Sequence, residues 1–231
     1  MKRGVLFDLD GTLVDHRAAA DAAVAEWVTQ HGGRRESGDD ALAAEWVRLE
    51  ALHFAAYLRG EATFQEQRRS RIAQFLAFLG RPVPDTGAVD RLFESYLELY
   101  EAAWVAYDDV VPALDLLAES GVALGVLTNG DEAQQRAKLR AVGLLDRFDC
   151  VVASSSLPAA KPDAAAFAGA CERLGISPGS VSYVGDTLRT DALAATQAGL
   201  RGVWLNRLAE DPHVQPEATI SSLLEIEAIL G

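Results

Sequence analysis

Short apolar runs alternate with helical segments over the second half of the chain, and this alternation is the strongest constraint on its fold. Four runs have the length and composition of strands, at residues 122–127, 148–153, 181–184 and 203–205, and a further short strand is expected near 218–220. Strands joined by helices favour right-handed crossovers and a parallel sheet with helices on both faces. The sequence therefore predicts an open α/β fold for this region.

The opening strand of this sheet is expected at residues 5–7, where an apolar run stops at Asp8 and Asp10. It has to join the same sheet, because residues 15–105 have a helical pattern throughout and offer it no partner strand. Helices are predicted near 18–28, 41–58, 63–79 and 88–104, with a loop at 31–40. We therefore predict two domains: an α/β core of residues 1–14 and 106–231, and an all-α four-helix cap of residues 15–105 inserted after the first strand.

Local signals predict three helix boundaries in the core. Pro162 is expected to open a helix that runs to Leu174, since proline suits the first turn of a helix. A further helix is expected over residues 191–198. Ser222 and Glu225 have the spacing of a capping box for the last helix.

Polar residues stand at four places where a parallel sheet would bind a ligand, since ligands lie outside the carboxyl ends of the strands in such sheets. The four places are Asp8 with Asp10, Thr128-Asn129-Gly130, Lys161-Pro162, and Gly185-Asp186 followed by Asp191. Each pattern is common alone, as a polar turn or a solvated lysine before a helix, but all four in this order are a much rarer coincidence. The acids at the first strand end repel each other and resist desolvation, so a bound cation is the simplest compensation.

The segments DLDGT, TNG, KP and GDTLRTD resemble, in this order, the four signature motifs of the haloacid dehalogenase-like superfamily, whose members are mostly phosphatases. The helical insertion resembles the four-helix cap of that superfamily, so the resemblance covers nearly the whole chain. It implies a Rossmann-like open core and Mg²⁺-dependent hydrolysis of a small phosphorylated metabolite through an aspartyl-phosphate. The resemblance implies a nucleoside monophosphate, a sugar phosphate or phosphoglycolate as the substrate.

The resemblance also implies roles for individual carboxylates. Asp8 is the expected nucleophile, and Asp10 would protonate the leaving alkoxide and then deprotonate the attacking water. Mg²⁺ would be held by the carboxylates of Asp8 and Asp186 and by the backbone carbonyl of Asp10, with waters completing an octahedron. Asp191 would orient a metal-bound water or Lys161. The alternative for Asp191 is an acid that the helix dipole favours at a helix start.

Three residues are expected to bind the phosphoryl group. The hydroxyl of Thr128 and the amide of Asn129 would donate hydrogen bonds to its oxygens. Lys161 would balance the charge of the acidic cluster and of the phosphoryl group. Thr128 and Lys161 are therefore expected to take part in catalysis as well as binding.

Charge and composition limit the partners. The chain has 21 Lys and Arg against 34 Asp and Glu, a formal net charge of −13, which argues against sequence-independent binding to nucleic acid or an anionic membrane. Asp8 interrupts the first apolar run too early for a signal peptide, and no stretch approaches a membrane span. Cys150 and Cys171 lack metal-ligand spacing and are expected to be buried, reduced thiols. We therefore expect a cytoplasmic protein, either a monomer or a homodimer.

Two functions other than hydrolysis stay open. Sugar-phosphate mutases of the superfamily keep both aspartates but usually carry valine where Thr12 stands, which favours hydrolysis. The dehalogenases have tyrosine where Asp10 stands and need no metal, so a carbon–halogen reaction is not expected. The fold could also serve as a regulatory or binding module with a stable phospho-aspartate, although such a switch does not need Asp10 as a proton donor.

Overall fold

The computed structural model describes residues 3–31 and 38–230 of the 231-residue chain. The chain divides into two compact units. The α/β unit is Met1–Asp15 together with Val105–Gly231, and the helical unit is His16–Trp104.

Helices and strands follow one another along the described residues. In chain order they are β1 (Gly4–Phe7), α1 (His16–Gln30), α2 (Asp39–Leu58), α3 (Phe64–Phe78), α4 (Thr86–Ala102), α5 (Val110–Glu119), β2 (Ala123–Thr128), α6 (Glu132–Ala141), β3 (Cys150–Ala153), α7 (Ala164–Leu174), β4 (Val181–Gly185), α8 (Ala194–Gln197), β5 (Arg201–Leu205), β6 (Ala218–Ile220) and α9 (Ile226–Leu230). The predicted capping box at Ser222 and Glu225 is present just before α9.

The strands of the α/β unit form one sheet in the order β3-β2-β1-β4-β5-β6, and every neighbouring pair is parallel. The predicted open parallel α/β fold is therefore confirmed. β1 lies in the middle of the sheet, between β2 and β4. The chain continues from β1 to β2 and β3 on one side of it, and then to β4, β5 and β6 on the other side. Ligands bind at such a switch point, outside the carboxyl ends of the strands.

β1 is buried on both faces because helices cover each side of the sheet. Successive side chains of a strand point to opposite faces, and Val5 and Phe7 accordingly pack in one apolar cluster while Leu6 packs in another. The first cluster contains Leu114 of α5, and the second contains Phe167 of α7. This two-sided burial explains why the strands are short continuous apolar runs rather than alternating ones.

The helical unit has an aromatic core. Trp27 and Trp46 are each 1% exposed and Phe75 is fully buried. Trp46 packs edge-on against Phe75, and its indole N–H donates to the Tyr96 hydroxyl at 2.9 Å, which satisfies its buried polar atom. Most of the predicted loop at 31–40 lies outside the described residues. None of the helices in the described ranges is long and apolar enough to cross a membrane.

Two predicted helix starts are wrong. α7 begins at Ala164 rather than Pro162, because the extended Asp163 caps it by accepting a hydrogen bond from the N–H of Ala165. The helix predicted over 191–198 is a π-helical turn, Leu188–Leu193, that continues into α8. The carboxylate of Asp191 accepts a hydrogen bond from the N–H of Thr187 in this turn, a contact that a helical residue pattern does not reveal.

Both cysteines are free thiols, as predicted, although only Cys171 is fully buried and Cys150 is half-buried. Burial raises the pKa of each thiol to about 11. Both therefore stay protonated and unreactive at neutral pH.

Gly202 in β5 packs against the turn that carries Asp191, and we predict that this position does not tolerate a larger residue. A Cβ there would overlap with the carbonyl oxygen of Ala192. Gly202→Ala should therefore lower the free energy of unfolding by about 1–3 kcal/mol, as measured by chemical denaturation. Gly179→Ala is the matched control, because a Cβ at that position meets no atom of the described residues within 4 Å apart from those of its own chain neighbours. Equal stability of the two variants would contradict this packing.

Candidate active site

Three neighbouring strands deliver polar side chains to the same edge of the sheet. Asp8 follows β1, Thr128 ends β2 and Asp186 follows β4. The strands are in register here, since Phe7 lies opposite Val126 on one side and Val184 on the other. The N–H of Asp8 extends this pairing by donating to the carbonyl of Val184 at 2.9 Å. Parallel pairing therefore brings together residues that are far apart in sequence.

Lys161 contacts three other side chains of the site. Its ammonium donates to the carboxylates of Asp8 and Asp191 and to the hydroxyl of Tyr183, each at 2.7 Å. The residue is only 4% exposed. Burial by itself lowers the pKa of this amine, but attraction by Asp191 and Asp8 outweighs it and the pKa is raised. Lys161 is therefore a fixed positive charge beside Asp8.

Asn129 holds the backbone of Lys161 with both ends of its side-chain amide. Its Nδ2 donates to the Lys161 carbonyl and its Oδ1 accepts from the Lys161 N–H, each at 2.9 Å. Sequence reasoning predicted an amide donor to a phosphoryl oxygen at this position. That hydrogen bond stays a prediction, and the side-chain amide fixes the loop after β3 to the end of β2 and so positions Lys161.

The carboxylates of Asp8, Asp186 and Asp191 form a cluster, with ligand oxygens all within 4.8 Å of one another. Burial is the main cause that raises the pKa of Asp8 well above its ordinary value, with Lys161 opposing it and the neighbouring acids adding to it. Burial, followed by repulsion from Asp191, likewise raises the pKa of Asp186 to about 6. The negative charges of such a cluster repel one another unless a bound cation offsets the repulsion.

A divalent cation fits this cluster at Asp8 and Asp186. Oδ1 of Asp186 is buried and has no hydrogen-bond partner among the described residues, which is the expected condition of a ligand atom. Asp191 differs, because its Oδ1 accepts from Lys161 and its Oδ2 accepts from the N–H of Thr187 at 3.0 Å. Carboxylate oxygens are the ligands that Mg²⁺ prefers.

Gly11 and Thr12 bring the loop after β1 against Asp186. Gly11 has a φ of 85°, a conformation that favours glycine, and a Cβ there would overlap with the Asp186 carboxylate. The hydroxyl of Thr12 accepts a hydrogen bond from the N–H of Asp186 at 3.0 Å. Gly11 and Thr12 therefore fix where the Asp186 carboxylate lies relative to β1.

The carboxylate of Asp10 lies against α6. Its Oδ1 is 2.5 Å from the ammonium of Lys138, and its Oδ2 accepts from Nε2 of Gln135 at 3.2 Å. The same Gln135 nitrogen lies 3.1 Å from the hydroxyl oxygen of Thr128. The hydroxyl oxygen of Thr128 accepts that hydrogen bond, and its proton donates to the carbonyl oxygen of Asn129 at 3.4 Å, a long contact that a bound ligand oxygen could replace.

Sequence reasoning missed Lys138, Gln135 and Tyr183. Gln135 and Lys138 are three residues apart on α6, and Lys138 directly precedes the buried Leu139. A polar pair on the apolar side of a helix was the available signal, but it looks the same in sequence as a solvated face. Tyr183 lies inside an apolar strand and gave no signal beyond core packing.

A family model described as haloacid dehalogenase-like hydrolase matches residues 2–199 of the chain. N-acylneuraminate-9-phosphatase of Mus musculus is 28% identical over 235 residues, which cover 99% of this chain and 93% of that protein. Phosphoserine phosphatase of Thermus thermophilus is 37% identical over 194 residues, which cover 82% and 74% of the two chains.

A solved structure shows the same fold. The magnesium-bound crystal structure of the HAD-hydrolase YfnB from Bacillus subtilis superposes with a TM-score of 0.82 over 99% of this chain and 98% of that one, at 24% identity. The two chains therefore share this fold over nearly their full lengths. Because the family model covers most of the sequence, this chain belongs to the haloacid dehalogenase-like hydrolases.

Proposed function

We propose that the protein is a Mg²⁺-dependent phosphatase that hydrolyses a small phosphorylated metabolite, with Asp8 as the nucleophile. The contact that carries this proposal is the ion pair of Lys161 with Asp8, beside the Oδ1 atom of Asp186, which has no hydrogen-bond partner in the described part of the chain. It supports the proposal because the carboxylates of Asp8 and Asp186 and the ammonium of Lys161 meet at one sheet edge, as an attacking group, a metal ligand and a fixed cation would have to do. The curated relatives named above are phosphatases of small phosphorylated metabolites, which supports the same reaction class.

Charge neutralisation is the first requirement of the reaction, since an anionic phosphate monoester resists attack by a carboxylate. Asp8 and Asp186 would hold Mg²⁺ through their carboxylates and Asp10 through its backbone carbonyl, and the bound ion would neutralise charge between Asp8 and the phosphoryl oxygens. Lys161 supplies a second positive charge that the protein itself fixes in place. Asp191 orients Lys161, because it accepts a hydrogen bond from the same ammonium.

The reaction would proceed in two steps through phospho-Asp8. A carboxylate oxygen of Asp8 bonds to phosphorus while the bond to the leaving oxygen breaks, and Asp10 gives that oxygen a proton. Water then bonds to phosphorus, Asp10 takes its proton, and the bond to Asp8 breaks to release phosphate. The Thr128 hydroxyl and the main-chain N–H of Asn129 would hold the phosphoryl oxygens, since the Asn129 side chain is bound to Lys161.

All of these groups lie in the α/β unit, which supports the predicted catalytic domain of residues 1–14 and 106–231. The helical unit contributes none of them. We assign residues 15–105 as the cap domain that selects the substrate.

Replacing Asp8 by Asn should remove the activity, because an amide is not a nucleophile toward phosphorus. Wild-type protein with Mg²⁺ is expected to release free phosphate from p-nitrophenyl phosphate, and Asp8→Asn should lose at least about 10³-fold in kcat. Asp115→Asn is the matched control, since its carboxylate is exposed and pairs only with Arg147 among the described residues. An active Asp8→Asn protein, or undiminished wild-type activity in EDTA, would refute the proposal. A sugar phosphate that isomerises without phosphate release would indicate a mutase.

Asp186→Asn should change stability in opposite directions without and with Mg²⁺. Because the folded-state pKa of Asp186 is raised to about 6, its contribution to stability is present below the unfolded value of 3.8 and is lost as the pH rises through about 6. In EDTA well above that pH, the variant should therefore have a higher Tm than the wild type. Saturating Mg²⁺ should raise the Tm of the wild type only, as thermal melts would show. An equal Mg²⁺-induced gain in both proteins would exclude Asp186 as a ligand.

A further inference from the structure

Lys138 is a buried charge that the reaction described above does not use. It lies on α6 and is 2% exposed, and Gln135 on the same helix is 5% exposed. Burying an ammonium costs free energy unless a partner of opposite charge compensates. Lys138 meets such a partner in Asp10, the carboxylate expected to move protons in both steps.

Lys138 and Gln135 hold both oxygens of the Asp10 carboxylate. Lys138 donates to Oδ1 at 2.5 Å and Gln135 donates to Oδ2 at 3.2 Å. Nε2 of Gln135 also lies 3.0 Å from the carbonyl oxygen of Asn129 and 3.1 Å from Oγ1 of Thr128. The orientation of Asp10 is thereby tied to the end of β2, where the phosphoryl group would bind. Two donors on two oxygens suit the carboxylate form, which is the form that accepts a proton from water.

We infer that Lys138, together with Gln135, is a positioning residue that holds Asp10 where it takes the proton of the water that hydrolyses phospho-Asp8. This inference rests on the proposed function. Lys138 touches Asp10 and acts through it. The bonds made and broken are those of the two steps above, and Lys138 neither gains nor loses a proton in them.

The two kinetic constants separate this role from a general structural one. With p-nitrophenyl phosphate the leaving group departs without a proton, so kcat/KM, which reports the steps through phospho-Asp8 formation, does not depend on Asp10. Hydrolysis of phospho-Asp8 does depend on Asp10. The constant kcat therefore depends on Asp10 as well when this hydrolysis is the slow step. With glycerol phosphate the leaving alkoxide needs a proton, so kcat/KM depends on Asp10 as well.

The experiment compares Lys138→Met with Arg140→Met, the removal of an exposed cation from the same helix. Lys138→Met should lower kcat for p-nitrophenyl phosphate by about 10²-fold, the lower end of a general acid–base contribution. Its kcat/KM for that ester should stay close to the wild-type value, and p-nitrophenol should appear in a burst equal to the enzyme concentration. For glycerol phosphate, kcat/KM should fall together with kcat. Arg140→Met should behave as wild type in every measurement.

A double-mutant cycle distinguishes an effect through Asp10 from a loss of activity that is caused by misfolding. If Lys138 acts through Asp10, then Lys138→Met should cost no further activity once Asp10→Asn is present, and the double variant carries no buried unpaired charge from this pair. Additive losses, a parallel fall of kcat and kcat/KM for p-nitrophenyl phosphate, or unchanged kinetics would each overturn the inference. A wild-type enzyme that is itself inactive would instead overturn the proposed function.

Discussion

The contact of the Lys161 ammonium with Asp8 and Asp191 is the interaction on which the site depends. The buried carboxylates of Asp8 and Asp191 and the half-buried carboxylate of Asp186 lie close together and repel one another, and each resists the loss of water. A single ammonium at 2.7 Å from two of them offsets part of that repulsion and fixes their positions. A buried charge without such a partner would destabilise the fold strongly. The excess of negative charge that remains at Asp186 is the electrostatic argument for the divalent cation that we propose there.

The fold produces this contact by parallel pairing and close approach. β1 at the centre of the sheet carries Asp8, and its neighbours β2 and β4 carry Thr128 and Gly185 to the same edge. Gly185 allows the turn with Asp191 to pack directly on the end of β4, since a Cβ there would overlap with that side chain. Glycine at such a position reflects the approach of a functional side chain rather than a flexible turn.

Much of the fold and the main chemical groups could be predicted from the sequence, because apolar runs of strand length end at acids, and a parallel sheet brings those ends together. The partners of these groups could not be predicted. Lys138 lies on a helix whose polar residues look solvated in sequence. The contact of the Asn129 side chain with the backbone of Lys161 depends on the path of the loop, which the sequence does not reveal. The π-helical turn at Asp191 depends on a side-chain contact with Thr187, which residue periodicity does not encode.

Asp8 is the proposed nucleophile toward phosphorus, and trapping the covalent phospho-Asp8 intermediate tests this role most directly. Wild-type protein would be mixed with Mg²⁺ and p-nitrophenyl phosphate, quenched in acid within one turnover, digested and analysed by mass spectrometry. The account predicts the added mass of one phosphoryl group on the peptide that contains Asp8, with fragmentation placing it on that residue rather than on Asp10. Turnover without any phosphorylated peptide, or with the phosphoryl group on another residue, would contradict it.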